Sequence, residues 1–214
     1  MSAAHLPPGI PVRKRAFDLL LTVPGVILIS VPLAVLALLV RWRLGSPVLF
    51  CQVRPGYRGR PFSLYKFRSM TNECEPGGGL LPDAERLTGL GRVLRSLSLD
   101  DLPNLLSVLT GDMSLVGPRP LLMEYLGRYT PEQARRHEVL PGITGWAQVN
   151  GRNDLTWEDK FRLDVWYVDH WSLWLDIKIL ALTAWKVVRR EGVAQLGFAT
   201  AEEFKGSGQS GGPT

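Results

Sequence analysis

Two aspartates stand side by side at Asp100 and Asp101 in the stretch RSLSLDDLPN, residues 95–104, where a run of leucines opens a helical pattern. Carboxylates are the hard oxygen donors that Mg2+ takes, and a carboxylate can also attack an electrophilic phosphorus. Neighbouring residues on a regular helix point about 100° apart, so these two cannot face one another as an acid pair, but they can do two different jobs. A structural use competes with the chemical one. Ser98-Leu99-Asp100-Asp101 fits a capping box, and acidic residues in a first turn are favoured by the positive end of the helix dipole. Pro103 disturbs that first turn and argues against a plain cap. Arg92 and Arg95 precede the pair. GDMSLVGPRP follows it and holds Arg119 between two prolines in a glycine-led turn. Such an arginine is stiffened for a bidentate grip on phosphate, although a lone loop arginine is more often simply solvated.

The chain that must position these groups has 214 residues, enough for one domain with a sizeable core and no need of disulfides. Cys51 and Cys74 lie far apart and offer neither a CxxC pair nor a zinc site. His5, His137 and His170 are equally scattered, which leaves an oxygen-ligated cation such as Mg2+ as the metal to expect. A net charge of +5 with seven tryptophans suits either nucleic acid or an anionic membrane surface. Residues 19–40, LLLTVPGVILISVPLAVLALLV, favour the membrane: they carry no charge over 22 positions. As a helix they would rise about 33 Å against a hydrocarbon core of about 30 Å. Arg13, Lys14 and Arg15 precede this run and Arg41 and Arg43 follow it, so a straight span would leave one basic cluster on the wrong side. Pro24, Gly25, Ser30 and Pro32 supply places to bend. The expectation is a re-entrant membrane helix hairpin over residues 16–44. An ordinary transmembrane anchor is the competing reading. A signal peptide fits less well, because the apolar core is too long and no small-x-small cleavage site follows before Gly45. With no RNA-binding signature and no finger, a nucleic-acid partner is not expected.

The expected fold class is α+β and mostly helical: the membrane helix, a small β-hairpin and interfacial amphipathic helices. VLFCQV and FSLYKF read as strands around the basic tip RPGYRGRP, and residues 71–82 read as a loop. Helices are expected over 83–95, 98–109, 121–128 and 131–139, the last with Thr130 as N-cap and Pro131 at the first position. PGITGWAQVNGRN looks too rich in glycine and asparagine for regular structure. A further helix should open at Thr156 with the capping pattern TWED and run through KFRLDVWYVDHW. The final segment, WSLWLDIKILALTAWKVVRR, carries Trp171, Trp174 and Trp185 with Lys178, Lys186, Arg189 and Arg190. It reads as a core helix or, preferred slightly, as one lying in the headgroup region. The chain thus divides into a basic tail (1–15), the membrane helix (16–44), a cytoplasmic catalytic domain (45–205) and a flexible tail (206–214).

YKFRSM, RSLSLDDLPNLLSVLTGDMSLVGPRPLLMEYL and PGITGWAQVNGRN, in that order and spacing, resemble the catalytic domain of the monotopic phosphoglycosyl transferases. These bacterial sugar transferases move a phosphosugar from a nucleotide diphosphate sugar to a polyprenyl phosphate. The resemblance covers residues 15–205. It is greatest to the compact members, such as the initiating enzyme of bacterial N-linked protein glycosylation, since no multi-span membrane domain precedes the catalytic part.

The resemblance implies a Mg2+-dependent enzyme on the cytoplasmic face of the bacterial inner membrane. Its substrates would be a UDP-sugar, expected to be an N-acetylated amino sugar, and undecaprenyl phosphate; its products would be UMP and a polyprenyl-diphospho-sugar. The family carries an Asp-Glu dyad where Asp100-Asp101 stand here, so Asp100 inherits the roles of nucleophile, forming a phosphosugar-aspartyl intermediate, and of Mg2+ contact. Asp101 departs from the pattern by one methylene, a reach shorter by roughly 1.5 Å. Lys66 of YKFR and the arginines Arg95, Arg119 and Arg152 match basic positions, with phosphate and nucleotide binding implied. The membrane helix departs as well, since Val31 separates Ser30 from Pro32 where the family commonly has adjacent Ser-Pro. Two other functions stay open: a nucleotide-sugar hydrolase whose altered dyad no longer transfers, and a non-catalytic membrane scaffold of the same fold.

Overall fold

The longest apolar run becomes the longest helix. In the computed structural model, which describes residues 9–75, 77–151, 155–189 and 203–206, helix α1 (Val12–Leu44) extends over 33 residues with Pro24 and Pro32 inside it. Both expected breakers therefore sit within one helical element rather than at a turn between two. Among the described residues α1 is the one helix long and apolar enough to cross a membrane. Its middle leaves Leu20, Ile27, Leu28, Val31 and Leu38 exposed.

Both ends of α1 dock on the same folded unit. Near its start Lys14, Arg15, Asp18 and Thr22 are buried. Lys14 Nζ donates to Asp176 Oδ2 (2.7 Å) and to the carbonyl oxygen of Val116 (3.0 Å). Arg15 donates to the carbonyl oxygens of Val108 and Leu109, at the end of helix α4 (Leu105–Thr110), where a cation offsets the negative end of the helix. Two residues of the leading basic cluster are thus taken up inside the protein. Near the other end Val40 is fully buried with Phe67 and Leu94, and Leu33, Leu36, Ala37 and Leu44 pack around them.

Strands β1 (Leu49–Pro55) and β2 (Pro61–Phe67) form the expected antiparallel hairpin, with Leu49 opposite Phe67 and Pro55 opposite Pro61. Phe62 and Leu64 on one face of β2 join Val108 and Met113 in the core, and Lys66, next along that face, is half-buried. The expected helix over 83–95 is broken into α2 (Asp83–Arg86) and α3 (Gly89–Ser96), because Thr88 stops to cap the second one by accepting from the Gly91 amide at 2.9 Å. Residues 98–109 divide into a 3-10 helix, Leu99–Asn104, and α4. A 3-10 helix also covers Met123–Arg128, and the segment after Thr130 forms α5 (Pro131–Ala134) and a 3-10 turn, Arg135–Glu138. Thr130 and Gln133 close the capping box there, with Pro131 in the first turn.

The largest correction concerns PGITGWAQVNGRN. Gly142–Thr144 forms strand β4, paired in parallel with β3 (Ser114–Val116), and Trp146–Asn150 forms helix α6. Its glycines serve close backbone approach rather than turns. A Cβ on Gly142 would stand 2.0 Å from the Gly117 nitrogen, and one on Gly145 would stand 2.2 Å from the Gly117 oxygen. Helix α7 (Trp157–His170) opens at Thr156 as expected, with the Thr156 hydroxyl accepting from the Asp159 amide. Helix α8 (Leu173–Arg189) divides its faces. Leu175, Asp176 and Ile179 are buried with Val116, Val149 and Tyr167, whereas Trp174, Ile177, Trp185 and Val188 are exposed. Phe204 of the C-terminal segment is buried against Tyr125 and Phe161. Residues 207–214, most of the expected flexible tail, lie outside the described residues, as does the basic tail before residue 9.

Candidate active site

The acid pair lies in the 3-10 helix Leu99–Asn104, entered through Ser98 in the left-handed region at φ 55°. Ser98 makes no side-chain cap bond, which removes the capping reading. What holds the segment instead is tertiary. Asn104 Oδ1 accepts from the Tyr65 amide at 2.9 Å, tying the 3-10 helix to β2 and bringing Lys66 to the acids. From the other side the β3 strand runs into Gly117 and the Pro118-Arg119-Pro120 turn, which delivers Arg119.

The two carboxylates have different surroundings. Lys66 Nζ lies 2.7 Å from Asp101 Oδ1, and Arg119 Nη2 lies 3.3 Å from Asp101 Oδ2, so one carboxylate bridges both cations. Burial alone would push Asp101 up, but Arg119 and then Lys66 hold it down at about 2. Asp100 is only 9% exposed and, among the described residues, forms no ion pair within 4 Å. Burial, and then the charge of Asp101, raise it above the usual carboxylate range against the pull of Lys66, Arg119 and Arg95. Environments that push two neighbouring carboxyls apart in this way mark a division of roles. Asp101 is engaged by both cations, and Asp100, among the described residues, by neither.

Arg95 reaches the same place from α3, its Nε donating to Ser69 Oγ at 3.0 Å. Both acids, Arg95 and Arg119 line one cavity of about 440 Å³. Of the residues expected from the sequence, the structure therefore brings together Asp100, Asp101, Lys66, Arg95 and Arg119. Arg152 lies outside the described residues.

Sequence reasoning missed what fixes the arginine turn. Arg136 Nη2 donates to the Arg119 carbonyl oxygen at 2.8 Å, while its Nε and Nη2 reach Asp164 Oδ2 at 3.0 and 2.6 Å. Arg136 and Asp164 are each 3% exposed. No local signal separates Arg136 from its neighbour Arg135, which is partly exposed and pairs with Glu132 and Asp169 on the surface. Arg54, lowered by burial and then by the charge of Arg119, adds a further cation near the turn.

Among the described residues there is no group of three or more His, Cys, Asp or Glu side chains fit to hold a metal by themselves. A single carboxylate without an ion pair among the described residues, set in a cavity beside several cations, is nevertheless a donor set that fits Mg2+, which commonly takes one or two carboxylates and completes its shell with phosphates and water.

Two consequences can be measured. Arg119→Ala should lower kcat/KM by roughly 30- to 1,000-fold, about 2 to 4 kcal/mol of transition-state stabilisation. A change below about threefold would return Arg119 to the solvated loop charges. The second concerns His137, which burial, and then Arg136, lower to about 4. The unfolded chain takes up this proton near pH 6.5 and the folded chain only near 4. The unfolded state thus binds more protons in between, and stability falls as pH drops through that window, by on the order of 3 kcal/mol. Urea unfolding at pH 7 and pH 4.5 should show that loss, and His137→Gln should remove most of it; an unchanged difference in the variant would assign the slope to other groups.

Comparison with known proteins gives the family. Residues 11–190 match the family model described as bacterial sugar transferase, and the chain belongs to that family. It is 59% identical over 197 residues to the uncharacterized sugar transferase EpsL of Bacillus subtilis, covering 92% of this chain and 98% of that protein. It is 42% identical to the undecaprenyl-phosphate glucose phosphotransferase of Komagataeibacter xylinus, and 40% identical to the undecaprenyl-phosphate galactose phosphotransferase of Salmonella typhimurium. Those matches cover 80% and 84% of this chain but only 35% and 41% of the two longer proteins.

Proposed function

We propose that this chain transfers a phosphosugar from a UDP-sugar to undecaprenyl phosphate through a covalent intermediate on Asp100. The observation that carries the reading is the asymmetry of the acid pair, one carboxylate engaged by Lys66 and Arg119 and the other, among the described residues, without an ion pair in the same cavity. An Asp100 oxygen attacks the phosphorus that bears the sugar. The bond from that phosphorus to the bridging oxygen breaks, and UMP leaves with the electron pair. An oxygen of the lipid phosphate then attacks the same phosphorus and returns Asp100 as a free carboxylate. Arg119 and Lys66, aligned by Asp101, stabilise charge on the transferring group. Mg2+, held by Asp100 and the diphosphate, would supply charge neutralisation on the phosphate oxygens when bound.

The relatives named for a sugar carry glucose and galactose, which lends no support to an N-acetylated amino sugar and favours a neutral hexose. Incubation with a panel of UDP-sugars, with and without undecaprenyl phosphate, tests the reading. UMP and a lipid-linked product should form with the acceptor, and a phosphosugar adduct on the protein without it. Free sugar phosphate regardless of lipid would indicate a hydrolase, and no UMP from any UDP-sugar a scaffold.

The same reading places α1 as a re-entrant element on the cytoplasmic face of the inner membrane. Lys14 and Val40 are 26 positions apart, about 39 Å along a helix, yet both are buried against one folded unit, which a bilayer cannot divide. The exposed Trp174, Ile177, Trp185 and Val188 of α8, with Arg189 stacked 4.3 Å over Trp185, support a further contact at headgroup level. Cysteines at His5 and Ser210, in a Cys51→Ser, Cys74→Ser background, should both be labelled only from the cytoplasmic side. Labelling of the first from outside would leave a simple span.

A further inference from the structure

Gln148 projects from α6 into the wall of the cavity that holds the acid pair. Its Oε1 and Nε2 are both buried, and among the described residues neither has a hydrogen-bond partner. A buried amide with nothing to bond is destabilising by itself, so its place at a cavity wall points to partners that arrive with a ligand. Two other hydroxyls on that wall are already committed to the protein. The Thr144 and Thr183 hydroxyls lie 2.7 Å apart, with Thr183 donating on to the Ile179 carbonyl oxygen at 2.8 Å. Space for the Gln148 amide is made one turn earlier, where a Cβ on Gly145 would stand 2.6 Å from Oε1.

The chemistry of a carboxamide limits what it can read. It is neutral, and toward a phosphate it could use only its N–H donors and would leave its carbonyl oxygen unpaired. It sets an acceptor beside a donor whichever way the amide is turned, and adjacent hydroxyl groups, each able to donate and accept, match that pair. Its place in the cavity narrows the choice further. Gly145 packs on the backbone of Gly117, two residues before Arg119, so Gln148 lies beside the turn that grips the transferring phosphate. The hexose is bonded to that phosphate, whereas the nucleobase lies beyond a second phosphate and a ribose. We propose that Gln148 is a specificity-determining residue that hydrogen-bonds hydroxyl groups of the hexose in the nucleotide sugar. The assignment rests on the transfer reading above. Hexoses that differ in one hydroxyl are the kind of pair that a fixed donor and acceptor can tell apart.

Gln148→Met keeps the volume and removes the polar groups. Because it deletes an unpartnered buried amide, thermal unfolding of the variant without substrate should be unchanged or shifted upward. The full-length wild type and variant are then compared in UMP release, with undecaprenyl phosphate present, on the best UDP-hexose and on its monodeoxy analogues. UMP affinity is measured separately by calorimetry. Wild type should lose about 10- to 100-fold in kcat/KM when the hydroxyl that is read is missing, and Gln148→Met should shrink that penalty below about threefold. UMP should bind both proteins equally. Equal deoxy penalties in the two proteins, or a lower melting temperature for the variant, would overturn the assignment. A fall in UMP affinity matching the loss in kcat/KM would overturn it in favour of the nucleotide. If wild type releases no UMP from any UDP-hexose, the transfer reading itself fails, and that arm tells the two failures apart.

Discussion

Asp100→Asn is expected to abolish the phosphosugar adduct and to lower turnover by at least about 10⁴-fold, the scale on which loss of a nucleophile is felt. Asparagine has nearly the same shape and cannot form the acyl phosphate. The folded chain should not suffer. Burial and the charge of Asp101 raise Asp100, so its ionised form is held at some cost to stability, and the neutral amide should raise the melting temperature by about 2 to 5 °C. The same change at Asp101 leaves the nucleophile in place, so an adduct should still form there, more slowly, with Lys66 and Arg119 released. Intact-protein mass spectrometry with UDP-sugar and no lipid separates the cases. An adduct on Asp100→Asn and none on Asp101→Asn would mean that the roles are reversed. No adduct on wild type, with transfer still proceeding, would point to direct attack by the lipid phosphate.

Asp164→Ala should be the most damaging change outside the acid pair. It leaves the Arg136 guanidinium buried without its carboxylate, which typically costs 3–5 kcal/mol and here should lower the melting temperature by roughly 10 °C. Activity should fall too, because Arg136 loses the partner that aims it at the Arg119 carbonyl. Removing both charges with Asp164→Ala and Arg136→Met should restore much of the stability, since an apolar replacement for a buried pair is often neutral. It should not restore kcat/KM if Arg136 positions the turn. Full recovery of activity in the double variant would reduce the pair to a structural one.

Local signals carried much of this architecture. The uncharged run of α1, the alternation in β2, and the Thr130-Pro131 and Thr156 helix starts each depend on residues within a turn or two, and each stands where the sequence puts it. The acids and most of their cations were legible because the chain has one pair of adjacent aspartates and the basic residues near it fall in motifs. Ser98 misled because its capping pattern is outweighed by ties made elsewhere, Asp101 to Lys66 and Arg119 and Asn104 to Tyr65. The β3–β4 pair escaped notice because three-residue strands have no measurable period, and because the glycines that permit it look like loop residues until Gly117 is seen against them. Arg136 was silent for a similar reason: its partner Asp164 lies 28 positions further on.

The clasp at the start of α1 has a consequence for the order of biosynthesis. Lys14 leaves the ribosome 162 positions before Asp176, the carboxylate that will neutralise it. At about 5–20 residues per second that is an interval of roughly 8 to 30 seconds. Throughout it the Lys14 ammonium lacks Asp176, and over the first 102 positions it lacks the Val116 carbonyl as well, whereas the apolar stretch that follows is complete early. Under the proposed membrane placement, α1 would reach the lipid first, with its charged end still in water, and α8 would close over that end only after 162 further positions. Under the same placement, truncation before Asp176 would leave a chain whose α1 enters the bilayer without the carboxylate that seats Lys14.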